Sequence, residues 1–131
     1  MNTKPLKRIL MVEDEPDIQA VARIALEMVG GLEVRACDSG MDALIVAPQY
    51  NPDLILLDMM MPGMDGITTL KKLRELEGLQ HTPVMFMTAK VQKQEVENYL
   101  DLGAIAVIAK PFNPMTLAGD IRDLWSLHVS R

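Results

Sequence analysis

The chain has 131 residues, 49% hydrophobic and 24% charged, which suits one globular domain spanning residues 1–131 around a single core. Eighteen acids against 13 bases give a net charge of −5, which argues against a broad nucleic-acid surface. No apolar run reaches the roughly 18 residues a membrane helix needs, and the basic start "MNTKPLKRIL" has no apolar core or cleavage site for secretion. The lone cysteine, Cys37, allows no internal disulfide and fits a reducing cytoplasm.

In chain order, "RILMVE" (8–13) is a continuous apolar run stopped by acids, which predicts a buried strand. A helix comes next over "EPDIQAVARIALEMVG", with Pro16 at its first position. Ile18, Val21, Ala22, Ala25, Leu26 and Val29 form one apolar face, and Gly30-Gly31 supply a left-handed cap. "LEVRAC" (32–37) is a second strand, with Cys37 as a core residue at its end. Ser39 then N-caps a short helix whose buried stripe is Ala43, Leu44 and Ala47, with Asp42 near its positive end.

Pro52 precedes a third strand, "DLILL" (53–57), which delivers Asp58 into "DMMMPGMDG". Ile67, Leu70, Leu73 and Leu76 give the next helix its inner face. "TPVMFMTA" (82–89) is a fourth strand, followed by a helix with Val96, Tyr99 and Leu100 inward and Gly103 at its end. "IAVIA" (105–109) is a fifth strand. The last helix runs over "NPMTLAGDIRDLWSLHV", capped by Asn113, with Leu117, Ile121, Leu124, Trp125 and His128 at helical spacing. Five apolar strands alternating with five helices predict a parallel sheet covered on both faces, an open doubly wound α/β fold.

In such a sheet, ligands sit beyond the carboxyl ends of the strands. Those ends carry Glu13-Asp14, Asp58, Thr88-Ala89 and Lys110-Pro111. Three close carboxylates raise one another's pKa unless a cation sits among them. Oxygen ligands without Cys or His suit Mg²⁺ rather than zinc. A phosphoryl group needs an in-line nucleophile and positive charge around its equatorial oxygens. Asp58 fits the nucleophile, with Lys110 as balancing charge, Thr88 as a hydrogen-bonding hydroxyl and Ala89 leaving room for a donor. Each residue alone has a plainer reading: a solvated loop acid, a surface lysine, or, for Pro111, a strand terminator. The weight comes from the four strand ends together. Met59, Met60, Met61 and Met64 read as gap-filling packing, because thioethers are poor Mg²⁺ ligands.

The acid pair in "MVEDEPDI", the aspartate in "LILLDMMMPGMDG", the threonine in "MFMTA" and the lysine in "IAKPF" resemble the receiver domain of two-component response regulators, over nearly the whole chain. The resemblance implies a flavodoxin-like (βα)5 fold with strand order 2-1-3-4-5. It implies Asp58 as phosphoacceptor, with Mg²⁺ held by the Asp14 and Asp58 carboxylates and the Met60 backbone carbonyl, and Glu13 holding a metal-bound water or the ion. Thr88 would be the switch hydroxyl and Lys110 the partner of the phosphoryl oxygens. The Lys110–Pro111 bond would be cis, and Gly66 would keep the loop after strand three tight. The family usually has Tyr or Phe three residues before the lysine, whose ring turns inward on activation. Here the residue is Val107.

The resemblance also implies a histidine kinase or histidine phosphotransfer protein as donor and a downstream protein partner; it leaves open monomer or homodimer, a dimer pairing through helix 4, strand 5 and helix 5. The chain is expected to be a switch rather than an enzyme, self-catalysing only its own phosphorylation and dephosphorylation. It is expected to act without a membrane or nucleic acid, either as a stand-alone regulator working by protein contact, which Met1 favours, or as a piece of a longer chain. Three other readings have less support. An aspartyl-phosphate hydrolase usually places a second acid where Met60 stands. A flavin module needs a phosphate-cradling loop where "EDEPD" is acidic. An unphosphorylated receiver-like interaction module has no use for the full set of acids, Thr88 and Lys110.

Overall fold

The computed structural model describes residues 5–129. Its elements are β1 (Arg8–Val12), α1 (Pro16–Ile24), a π-helical turn (Ala25–Val29), β2 (Glu33–Cys37), α2 (Gly40–Tyr50), β3 (Leu54–Asp58), α3 (Gly66–Arg74), β4 (Val84–Thr88), α4 (Lys93–Asp101), β5 (Ala106–Ala109) and α5 (Leu117–Val129). The sheet is parallel throughout, in the order β2-β1-β3-β4-β5. This is the open doubly wound fold that the strand pattern predicts, in the flavodoxin-like strand order that the resemblance implies.

The central strands β3 and β4 are buried at every position, as continuous apolar runs require. Alternate residues feed two cores. Ile9, Met11, Leu56 and Met87 pack with Leu26, Ile121 and Trp125 beneath α1 and α5. Leu10, Val12, Leu57 and Phe86 pack with Leu70, Leu73 and Tyr99 beneath α2, α3 and α4. Ser39 caps α2 by accepting from Asp42 N at 3.1 Å, and Cys37 is buried in the second core.

Several expectations shift in detail. The first helix does not stay α-helical: Gly30 N donates to Ala25 O at 3.0 Å, five residues back. The extra residue rotates the end of the helix, so Val29 turns outward and is exposed, as is Val21. The left-handed residue is Gly31 (φ 69°), not Gly30 (φ −89°). On α4 the inward place goes to Tyr99, edge-on to Phe86 with centroids 5.6 Å apart. Leu100, one residue further round, is therefore exposed, and so is His128. Asn113 caps a turn through Met115 N (2.9 Å), and regular α5 begins only at Leu117. None of the described helices is long and apolar enough to cross a membrane.

The π turn brings Gly30 onto α5 so closely that a Cβ there would lie 2.5 Å from Ala118 Cβ and 2.8 Å from Leu26 O. Gly119, one residue along α5, faces open space. Substituting alanine should therefore give opposite signs. Gly30→Ala is expected to cost about 1–3 kcal/mol through overpacking. Gly119→Ala should add about 0.5–1 kcal/mol through helix propensity. Urea unfolding of both variants measures this; loss of stability in both would contradict the packing described.

Candidate functional site

Parallel pairing brings the strand ends level: Val12 lies beside Leu57, Asp58 beside Met87 and Thr88 beside Ala109. Glu13, Asp14, Asp58, Thr88 and Lys110 thus meet at the carboxyl edge of the sheet, as the sequence predicts. Glu13, Asp58 and Thr88 are buried and Asp14 half-buried.

The charges are directly bonded. Lys110 Nζ donates to Glu13 Oε1 at 2.6 Å and to Asp58 Oδ1 at 3.0 Å. Glu15 N donates to Glu13 Oε2 at 3.1 Å. Thr88 Oγ1 accepts from Lys90 N at 3.1 Å, which fixes the start of the loop after β4. Burial pushes the Asp58 carboxyl up to about 7; Lys110 opposes this and the nearby Glu13 charge adds to it. Burial alone would lower the Lys110 pKa, but its bonds to Glu13 and Asp58 prevail and hold it above its ordinary value.

Glu13, Asp14 and Asp58 each offer an oxygen, all within 4.8 Å of one another. Asp14 Oδ1 is buried with no hydrogen-bond partner. A buried acceptor without a donor, beside two more acids, is satisfied by a cation, and an all-oxygen set fits Mg²⁺. The residues present therefore fit the metal the sequence suggests.

The loop after β3 is tight. A Cβ on Gly66 would lie 2.5 Å from Asp58 O and 2.9 Å from Met59 Cα, and Gly66 N donates to Met59 O at 2.9 Å. Asp65 caps α3 by accepting from Thr68 N at 2.8 Å. The methionines divide: Met59 and Met61 are buried in the core beneath α2–α4, as packing predicts, whereas Met60 is 64% exposed. The loop turns between two inward neighbours, which leaves the Met60 side chain on the rim. Met64 lies against Gly40, where a Cβ would come within 3.0 Å of its sulfur.

The Lys110–Pro111 peptide is cis. Ala89 is exposed beside the site, and Val107 is half-buried, paired with Phe86 across β4 and β5. One contributor has no motif: Gln19 on α1 donates through Nε2 to Glu13 O (3.0 Å) and Cys37 O (3.4 Å), tying α1 to two strand ends. Its only trace in the sequence is a polar residue beside the inner positions of an amphipathic helix.

The model of the family described as Response regulator receiver domain matches residues 9–122. This chain belongs to that family. It is 36% identical over 119 residues to RpaA of Synechocystis sp., a DNA-binding dual master transcriptional regulator, covering 91% of this chain and 49% of that protein. It is likewise 36% identical over 116 residues to PhoB of Pseudomonas aeruginosa, a phosphate regulon transcriptional regulatory protein, covering 88% of this chain and 50% of that one. The chain thus spans about half the length of the curated relatives it matches. Among solved structures, the receiver resembles the chemotaxis response regulator CheY4 of Vibrio cholerae, with a TM-score of 0.83 and 28% identity, covering 91% of this chain and 98% of that chain.

The raised Asp58 pKa has a stability consequence in metal-free buffer. A carboxyl held above its unfolded value stabilises the fold while protonated, and that contribution is lost as pH rises through about 7. Asp58→Asn removes the penalty. The variant should be more stable than wild type by about 1–3 kcal/mol near pH 8, with the gap closing towards about pH 4. Chemical unfolding across that range measures it; a pH-independent difference would contradict the assignment.

Proposed function

We propose that Asp58 of this receiver domain accepts a phosphoryl group from a histidine kinase or histidine phosphotransfer protein. The observation that carries this is the buried Asp58 carboxylate held by Lys110, with Asp14 Oδ1 unpartnered beside it. An Asp58 oxygen attacks phosphorus in line, the P–N bond to the donor histidine breaks, and an acyl phosphate forms on Asp58. Lys110 stays within reach of the oxygens that carry the added charge. The Thr88 hydroxyl, at the adjacent strand end, turns from Lys90 N towards a phosphoryl oxygen. Asp14 and Asp58, with the Met60 carbonyl and the neighbouring Glu13, would hold Mg²⁺. Bound Mg²⁺ supplies positive charge that keeps the nucleophile ionised and neutralises phosphoryl oxygens.

Residues 1–131 act as one receiver domain, a cytoplasmic switch that modifies only itself and turns over no outside substrate. Met60, exposed at the site rim, offers no carboxylate for acid/base work on such a substrate. Phosphorylation shifts a two-state equilibrium read by a downstream protein, or by a second copy, at the α4–β5–α5 face. Val107 lines an open groove of about 540 Å³ on that face with Phe112, Thr116 and Leu124. Position 107 carries no ring to turn inward, so the signal passes through Thr88 and the loop after β4. The names of the relatives describe proteins about twice the matched length. For this chain, with its net charge of −5, contact is with protein rather than nucleic acid.

Incubation with Mg²⁺ and acetyl phosphate tests the reading. Intact-mass spectrometry should show a phosphorylated species that alkali removes, absent from Asp58→Asn. No label on wild type, or equal label on the variant, would overturn it.

A further inference from the structure

Helix α2 differs from the other helices in what it shows to solvent. Its eleven residues include a single charged one, Asp42, whereas the nine of α4 include four. Ala43 and Ala47 are buried beneath it, in the core. The outer face is apolar as well: Met41 and Ile45 are 60% and 63% exposed, and exposed Pro48 continues the stripe. A helix apolar on every side belongs in an interior. Large apolar side chains in a row are also unlike the scattered single ones that a surface tolerates. One flank of α2 packs on α3, and the other opens towards β2, the edge strand of the sheet. Among the described residues, none covers the stripe.

The charges at its two ends say what does. Exposed Asp38 and half-buried Asp42 stand at the start of α2. At the far end the Arg8 guanidinium lies over the Tyr50 ring, 4.4 Å from the centroid. Arg8 gives Nε to Glu33 at 3.0 Å and is 39% exposed, so its terminal nitrogens can meet a further carboxylate. Ile45 is the middle residue of Gly40–Tyr50. We propose that α2 pairs, antiparallel, with α2 of a second copy of this chain, across a two-fold axis at Ile45. Such an axis sets Ile45 against its own copy and Met41 against Gln49. It brings the Asp38–Asp42 end of each copy to the Arg8 end of the other. Parallel pairing would set acid against acid, so the charges select the antiparallel arrangement. A different protein would need this pattern in reverse, which a second copy supplies by symmetry. The contact lies away from the α4–β5–α5 face and does not depend on phosphorylation of Asp58.

Sedimentation equilibrium of the wild-type chain should show a monomer–dimer equilibrium. Ile45→Lys, at an exposed position, should keep the fold and raise the dissociation constant about tenfold or more. A second variant tests the axis itself. Ile45→Cys places two thiols together and should give a disulfide-linked dimer on mild oxidation. Met115→Cys, 70% exposed on another loop, should not, and Cys37 is buried. A wild type that stays monomeric at the highest soluble concentration would overturn the proposal and leave the stripe to a different protein. A dimer indifferent to Ile45→Lys would overturn it by placing the contact on another face. Equal cross-linking at positions 45 and 115 would overturn the two-fold axis.

Discussion

The structure turns on one half-buried ammonium bonded to two buried carboxylates. Lys110 bridges Glu13 and Asp58, from strand ends that are 97 and 52 residues away in sequence. The bridge spans the sheet edge from β1 through β3 to the end of β5. It is an unequal arrangement, with three acids within 4.8 Å of one another and one lysine among them. Burying carboxylates in excess of their cations costs stability. A fold tolerates that at a place where an added cation or group relieves it. Burial raises the Asp58 pKa and the Glu13 charge adds to it; the excess of acids suits this edge to Mg²⁺ and, on the proposed reading, to a phosphoryl group.

Everything around this edge serves to hold it. Gly66 lets the loop after β3 lie against the Asp58 carbonyl. Gln19 ties α1 to the carbonyls of Glu13 and Cys37. Thr88 ends β4 with its hydroxyl already in a hydrogen bond that a competing acceptor can break. Two apolar cores keep the five strands in register, so that the edge is level. A switch needs such a frame, because a local change in charge has to move one element rather than loosen all of them.

Most of the fold was legible in the sequence because continuous apolar strands alternating with amphipathic helices admit few solutions. The site residues were legible because four strand ends carried complementary chemistry. What escaped depends on geometry without a pattern. The π turn after Ile24 is a slip of one hydrogen bond, marked only by a glycine that must clear Ala118. Leu100 and Val21 sit one helical step from the inner face, and single exposed apolar residues cost little. Met60 matches its neighbours in composition, yet the loop turns its side chain outward. That Glu13, rather than Asp58, makes the shorter bond to Lys110 is a matter of side-chain geometry, which no motif encodes.

The central claim is that negative charge in excess at a buried sheet edge makes the site. Unfolding free energy of the wild-type protein, measured against Mg²⁺ concentration near neutral pH, tests it most directly. The account predicts a rise that obeys ligand linkage, reaching about 2.7 kcal/mol at a hundred times the dissociation constant, and abolished by Asp14→Asn. Stability indifferent to Mg²⁺, or an equal rise in the variant, would contradict it.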